Sequence, residues 1–368
     1  MLDKNASIKF DGAGALLEDV THAFNRFVIK GTIEGGHDFS DSGMYIRGEK
    51  SEVTIARSGD VSGYSGVRLA GYSPIFTNHG TVSGDAYGVY CDDDAVITND
   101  GRISGTFAIL LNDAGGIVTN ESQGRIIASA TAVELYSDDG KESALTNRGL
   151  IKGADAIVGQ TANDIIVNRG VMKGGIDLGG GNDSFDNRGG SVNHNIVSGD
   201  GNDWLIVDDA KTQMVEKVGA GTDTVKSTVT YALSANVENL VLLGKADAKA
   251  MGNDENNGIT GNAGDNVLSG KVGMDVLNGG YGNDLLTGGA DADTFLLAKG
   301  GGHDVVADFV NGSDHIDLSG LDAIADFDDL WAHHLTVTEN DVIIHAGGGR
   351  LTLHQTAQAD LDFTDFYF

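Results

Sequence analysis

Four consecutive nonapeptides decide the fold: GNAGDNVLS (261–269), GKVGMDVLN (270–278), GGYGNDLLT (279–287) and GGADADTFL (288–296). They keep the period and the U position of the pattern G-G-x-G-x-D-x-U-x, with U a bulky apolar residue, which is the sequence signature of a calcium-binding parallel β-roll; GGYGNDLLT matches it in full. The first six residues make a turn whose glycines permit positive φ and leave the carbonyls bare. The sixth supplies a carboxylate, except in the first copy, where it is Asn266. The last three make a short strand whose U residue (Leu268, Leu277, Leu286 or Phe295) points inward. Ca²⁺ takes six to eight oxygen ligands, and carbonyls with aspartate provide them.

A nine-residue period throws successive turns to opposite sides, so turns eighteen residues apart stack. One cation is then expected between turns 270–275 and 288–293, held by Asp275 and Asp293 with the backbone of Gly270, Gly273 and Gly288. A second, expected to be weaker for having one carboxylate fewer, falls between 261–266 and 279–284. Its residues are Asp284 and Asn266 with Gly261, Gly279 and Gly282. A degenerate copy, GNDENNGIT (252–260), stacks under 270–275 through Asn257. Further upstream, LGGGNDSFD (178–186), SGDGNDWLI (198–206) and VGAGTDTVK (218–226) carry the same turn at 20-residue spacing. Asp183, Asp203 and Asp223 are the metal ligands this implies.

Here the chain resembles the RTX family of calcium-binding proteins exported by Gram-negative bacteria. TDTVKSTVTYALSANVENLVLLG (222–244) is similar to the segment that precedes RTX repeats, and HDVVADFVNGSDHIDLSGL (303–321) to the segment closing the roll in the serralysin C-terminal domain. The end, ADLDFTDFYF (359–368), resembles an uncleaved type I secretion signal, although Phe366, Tyr367 and Phe368 also suit a last core strand. The resemblance covers roughly residues 175–368. It implies an extracellular destination, type I secretion machinery as a partner, and folding driven by Ca²⁺ after exit.

Charge agrees with that reading. The formal net charge is −30. Residues 1–175 hold 15 Lys/Arg against 23 Asp/Glu, and residues 176–368 hold 9 against 31. Such acidity opposes compaction unless cations neutralise it, and its sign disfavours nucleic acid. Cys91 is the single cysteine, so no intramolecular disulfide exists. The opening MLDKNASIKF has no basic n-region or apolar h-region of a cleavable signal. No apolar run approaches the ~18 residues of a membrane helix.

A second repeat fills the first half. Asn-x-Gly recurs in IFTNHGTVSG (75–84), VITNDGRISG (96–105), LTNRGLIKG (145–153) and IVNRGVMKG (166–174), with a variant at VTNESQGRIIAS (118–129) and a shortened copy at FDNRGGSV (185–192). Gly59, Gly80, Gly101, Gly124, Gly149 and Gly170 mark spacings of 21, 21, 23, 25 and 21. Short apolar strands lie between copies: GVRLAG (66–71), YGVYC (87–91), FAILL (107–111), AVELY (132–136) and AIVG (156–159). Coils of this length predict a right-handed parallel β-helix. Asn78, Asn99, Asn120, Asn147 and Asn168 are expected to form a corner ladder, bonding backbone and one another. This half resembles β-helical repeats of bacterial surface and autotransporter-type proteins.

The chain therefore reads as all-β. A β-helix over 1–192 leads through transitional coils over 193–245 into a calcium-binding β-roll over 246–318. A cap over 319–368 carries the secretion signal. Enzyme motifs are sparse: no H-E-x-x-H, G-x-S-x-G or P-loop occurs. The combination of β-helix and RTX modules resembles mannuronan C-5 epimerases, but their Asp-Pro-His motif cannot exist here because Pro74 precedes Ile75. The acidic turn Asp92-Asp93-Asp94 is the best catalytic candidate. Trp204 is expected to plug the core, and His333 and His334 to lie in the cap. A calcium-stabilised structural or adhesive protein of the cell surface or extracellular matrix, with surface polysaccharide as a partner class, is the function this composition favours. A polysaccharide-modifying enzyme acting on the β-helix face is the alternative.

Overall fold

The computed structural model describes residues 7–9, 15–17, 26–36, 38, 41–47, 49–112, 115–137 and 140–368. Most of the opening stretch read for an export signal lies outside them. The chain divides into two compact units, Met1–Asp203 and Trp204–Phe368, each a parallel β-solenoid.

In the first unit, the coils stack into two parallel sheets, giving one strand to the first and one or two to the second. One sheet stacks Ile75–Asn78, Ala95–Asn99, Gly116–Asn120, Ala144–Asn147 and Ile165–Asn168 in strict register. The other stacks Asp60–Leu69, Thr81–Cys91 and their successors. Strand alternation turns Phe76, Ile97, Val118, Leu145, Ile166 and Phe185 inward, where all are essentially buried. Each such side chain contributes roughly 1.5–3 kcal/mol.

The asparagine corner forms as the repeat predicts. The Nδ2 of Asn78, Asn99, Asn120 and Asn147 each donates 2.8 Å to the Oδ1 of the next Asn along. The shortened last copy extends the ladder, since Asn168 donates 2.8 Å to Asn187. The Oδ1 also accepts from the backbone two residues on, as Gly80 N–H does to Asn78 at 3.1 Å. Amide beside amide satisfies every rung because each carries both a donor and an acceptor. Asn120→Asp removes one donor and sets two acceptors face to face in a buried corner. It is expected to cost roughly 3 kcal/mol, seen as a lower urea midpoint, whereas Thr119→Asp on the outer face is expected to stay within about 0.5 kcal/mol.

The second unit narrows. The sheet with Asn239–Leu242, Gly258–Thr260, Val276–Asn278, Thr294–Leu296 and His315–Asp317 pairs coils 18 to 21 residues apart. Its partner sheet stacks Lys249–Met251, Val267–Val272, Leu285–Ala290 and His303–Val306. The four U residues divide as a nine-residue period requires: Leu277 and Phe295 in the first, Leu268 and Leu286 in the second, all fully buried. An antiparallel hairpin, Asp341–Ala346 with Gly349–His354, docks on His303–Val306. The chain's end, Phe366–Tyr367, adds a parallel strand to His315–Asp317.

Trp204 corrects an expectation. It is 47% exposed, because strand alternation gives the inward positions to Leu205 and Val207. Its ring lies under Lys226, whose Nζ is 3.4 Å from the centroid. His333 and His334 fall in a short helical turn, Leu330–His334, where His333 Nδ1 lies 2.9 Å from Asp329.

Candidate metal centre

The sixth residues of the turns form two ladders in the second unit. On one side Asn257 N–H donates 2.7 Å to Asp275 Oδ1, Asp275 N–H 2.9 Å to Asp293 Oδ1, and Asp293 N–H 3.0 Å to Asp314 Oδ1. On the other, Asn266 N–H donates 2.7 Å to Asp284 Oδ1 and Asp284 N–H 3.0 Å to Asp304 Oδ1. The parallel pairing aligns the turns, and the turn glycines let them approach. Gly273 and Gly282 have φ of 115° and 119°, which side-chain-bearing residues rarely adopt.

One oxygen of each carboxylate is thus spent on the backbone. The other is not. The Oδ2 atoms of Asp275, Asp284 and Asp293 are buried and accept no hydrogen bond. A Cβ placed on Gly270 would land on Asp275 Oδ2 and the Gly288 carbonyl, so both oxygens converge on one spot above that glycine. Cβ atoms on Gly279 and Gly288 would strike Asp284 Oδ2 and Asp293 Oδ2 in the same way. Burial pushes the carboxyl of Asp275 up to about 6, and those of Asp284 and Asp293 to about 7, with neighbouring carboxylates adding to the shift. Hard, anionic, desolvated oxygens beside bare carbonyls are the donor set that Ca²⁺ takes, and the residues fit it.

Asparagine at the sixth position closes the turn differently. Asn266 Oδ1 accepts 2.7 Å from Asn262 N–H, and its Nδ2 donates 3.2 Å to Asn262 Oδ1. Asn257 Oδ1 likewise accepts 2.7 Å from Asn253 N–H. Asn257 Nδ2 donates to the Val237 carbonyl at 3.1 Å, so both amides are satisfied by the protein and the cation-demanding rungs are those above them. Asp284 also has Asp304 as its neighbour on the far side, a rung beyond the pair expected from the nonapeptides.

Sequence reasoning missed Asp304 and Asp314, both buried. Their spacings of 20 and 21 break the eighteen-residue rule. The available signal was Gly-x-Asp: Gly302-His303-Asp304 and Gly312-Ser313-Asp314 repeat Gly282-Asn283-Asp284, and Gly302 bridges Gly282 directly. Asp308 also caps this stack, its two oxygens accepting the N–H groups of Gly288 and Gly289 at 3.0 and 2.9 Å.

In the first unit, Asp183 and Asp203 occupy adjacent rungs, with Asp183 N–H donating 2.7 Å to Asp203 Oδ1. Asp164, not foreseen, lies one rung further and donates its N–H 2.6 Å to Asp183 Oδ1. Ala162-Asn163-Asp164 is a glycine-less copy of Gly181-Asn182-Asp183. The Oδ2 atoms of Asp164 and Asp183 accept nothing, and burial raises these carboxyls to about 7 and about 8. Asp223 belongs to the second unit, fully buried, its N–H donating 2.7 Å to Glu238 Oε2.

No protein-family model matches the sequence, and a search of curated proteins finds no match either. Among solved structures, the crystal structure of the extracellular lipase LipA from Serratia marcescens aligns at 16% identity with a TM-score of 0.27, over 69% of this chain and 45% of the lipase.

The acidic turn considered for catalysis is tied up. Arg68 Nε and Nη2 hold Asp92 at 2.9 and 3.1 Å, Asp93 Oδ1 caps Asp94 N–H at 2.7 Å, and Lys141 Nζ lies 3.5 Å from Asp94. Among the described residues, no helix is long and apolar enough to cross a membrane.

Gly270 gives a test of the cradle. Its φ is not among the positive ones, so Gly270→Ala acts by filling the space between Asp275 Oδ2 and the Gly288 carbonyl. We expect one calcium ion fewer by titration calorimetry, with the core packing unchanged.

Proposed function

We propose that this chain is a calcium-binding structural or adhesive protein that works outside the cell. The second unit folds on Ca²⁺ after export, and the first serves as a rigid β-helical body. The observation that carries the reading is the set of buried, unbonded Oδ2 atoms on Asp275, Asp284 and Asp293, aimed into glycine cradles. Asp275, Asp284, Asp293 and Asp304 are the side chains that would hold the ions, with glycine carbonyls completing the shell. A bound cation supplies the positive charge these oxygens lack, and the chain's own contribution is to hold them in register.

Type I secretion accounts for the RTX-like sequence features and the acidic, aromatic end of the chain. Millimolar calcium outside the cell suits sites of Kd on the order of 10⁻⁴–10⁻³ M, as in extracellular modules. Asp275→Ala and Asp293→Ala are each expected to lower calcium stoichiometry and weaken calcium-induced folding, whereas Asn266→Ala leaves the ion count unchanged, because Asn266 bonds within its own turn. Equal loss in all three variants, measured by calorimetry, would refute this assignment.

A further inference from the structure

The outer face of the first unit's first sheet carries a column of threonines that the calcium ladders do not use. Register sets Thr54, Thr77, Thr98, Thr119 and Thr146 side by side on successive coils. Two residues earlier on these strands, Ile75, Val96, Ile117, Ala144 and Ile165 form a second column. The residues between and after them, Phe76, Ile97, Val118 and Leu145 with the ladder asparagines, are fully buried, so both columns point outward. Ile75, Val96, Ile117 and Ile165 are 39% to 51% exposed, and the threonines are half-buried. Among the described residues, none makes a hydrogen bond to any of the five threonine hydroxyls. From Ile75 to Val167 neither column holds a charge. Ion pairs stand at the edges instead: His79 with Asp100 and Arg148 with Glu121 past the asparagine corner, and Lys141 with Asp94 on the other side. A single exposed aliphatic is ordinary, but four in one column beside unbonded hydroxyls mark a surface built for contact.

We propose that this face binds the surface of an ice crystal. One residue type held at one position through five coils fits a partner that is itself periodic. Parallel strands repeat at about 4.8 Å, close to the spacing of water molecules along the a axis of hexagonal ice, so each coil meets one row of the lattice. A threonine hydroxyl carries one donor and two acceptor lone pairs, the mixed capacity a lattice water requires. Its methyl, with the aliphatic column beside it, offers water nothing to bond and leaves it to order against itself. β-Branching restricts χ1 in Thr, Ile and Val, so the array is ordered before it binds and little side-chain entropy is lost on contact. The lack of charge matters because an ion imposes its own hydration shell on the water around it. A crystalline polysaccharide is periodic too, but pyranose faces call for aromatic rings, and neither column holds one. The inference rests on the first unit alone and does not depend on calcium in the second.

The test is ice-crystal morphology, freezing-point hysteresis and partition into growing ice, measured on the full chain in millimolar calcium. We expect faceted crystals, a gap between freezing and melting points, and uptake of fluorescently labelled protein into the ice. Thr98→Asp and Thr119→Asp each set a charge in mid-column and are expected to lose most of the hysteresis while melting as the parent chain does. Thr119→Val, which keeps the branching and the methyl, is expected to retain more of it than Thr119→Asp. Thr81→Asp makes the same change on the other sheet, beside Asp60 and Arg102, and is expected to leave ice activity as it is. Disc-shaped crystals without hysteresis at millimolar protein would overturn the proposal. So would full activity in folded Thr98→Asp and Thr119→Asp, or binding to crystalline cellulose with no effect on ice.

Discussion

Removing calcium from the full chain is expected to unfold residues 204–368 while leaving the coils between residues 75 and 177 protected. In hydrogen exchange read by mass spectrometry, peptides from the four nonapeptides should exchange within seconds in EGTA and slowly in millimolar calcium. Peptides carrying Phe76, Ile97, Val118 and Leu145 should be slow in both. The magnitudes decide it. An uncompensated buried charge costs several kcal/mol, and the second unit holds at least three, on Asp275, Asp284 and Asp293. A domain's whole stability is about 5–15 kcal/mol, so three such penalties consume it. In the first unit Asp164 and Asp183 carry the same penalty, but its coils bury large apolar side chains such as Phe76, Ile97, Val118 and Leu145 throughout.

Acidity supplies the same test without a metal. These three carboxyls titrate in the folded protein at about 6 to 7, above the ~3.9 of an unfolded aspartate. A raised folded value stabilises below the unfolded one and is lost as pH rises through the folded one. In EGTA the urea midpoint should therefore fall between about pH 4 and pH 7, and in saturating calcium that fall should disappear. A flat profile in EGTA would contradict the desolvated ladder.

The second large effect is expected from deleting residues 359–368. Read from sequence, this tail is a secretion signal whose loss spares calcium binding. The structure gives it a second role. Phe366–Tyr367 is the last strand of its sheet, Phe366 and Leu361 are buried, and Asp365 Oδ1 accepts 3.1 Å from Gly312 N–H, two residues from Asp314. Burial of Phe366 and Leu361 is worth roughly 3–6 kcal/mol together. The truncated chain should accordingly need at least tenfold more calcium to fold, since 1.4 kcal/mol is a factor of ten. If the tail is also the export signal, supernatant yield should vanish even in high external calcium. Unchanged calcium dependence would show that the last strand contributes nothing to the roll, and normal yield would remove the signal.

Where the sequence was periodic, the fold could be read from it. The U residues, the eighteen-residue stacking and the asparagine ladder each follow from a fixed spacing acting on a fixed strand alternation. Asp304, Asp314 and Asp164 escaped because their coils gain two or three residues or replace the turn glycine, while the surrounding sheet still forces them into line. Trp204 was misplaced by size: a large ring suggests a core, but Leu205 beside it already holds the inward position. The Tyr45–Arg68–Tyr90 column, with the guanidinium over both rings, could not be seen at all, since these residues lie more than twenty apart in the chain and meet only through sheet register.

The most direct measurement is a crystal structure of the protein grown in millimolar calcium. An ion should lie above Gly270, with Asp275 Oδ2 and the Gly288 carbonyl both at the 2.3–2.6 Å of calcium–oxygen bonds, and equivalent ions should lie beside Asp284 and Asp293. A water at hydrogen-bonding distance from Asp275 Oδ2, or a protonated carboxyl bonded to the Gly288 carbonyl, with no ion at any of the three, would contradict the account.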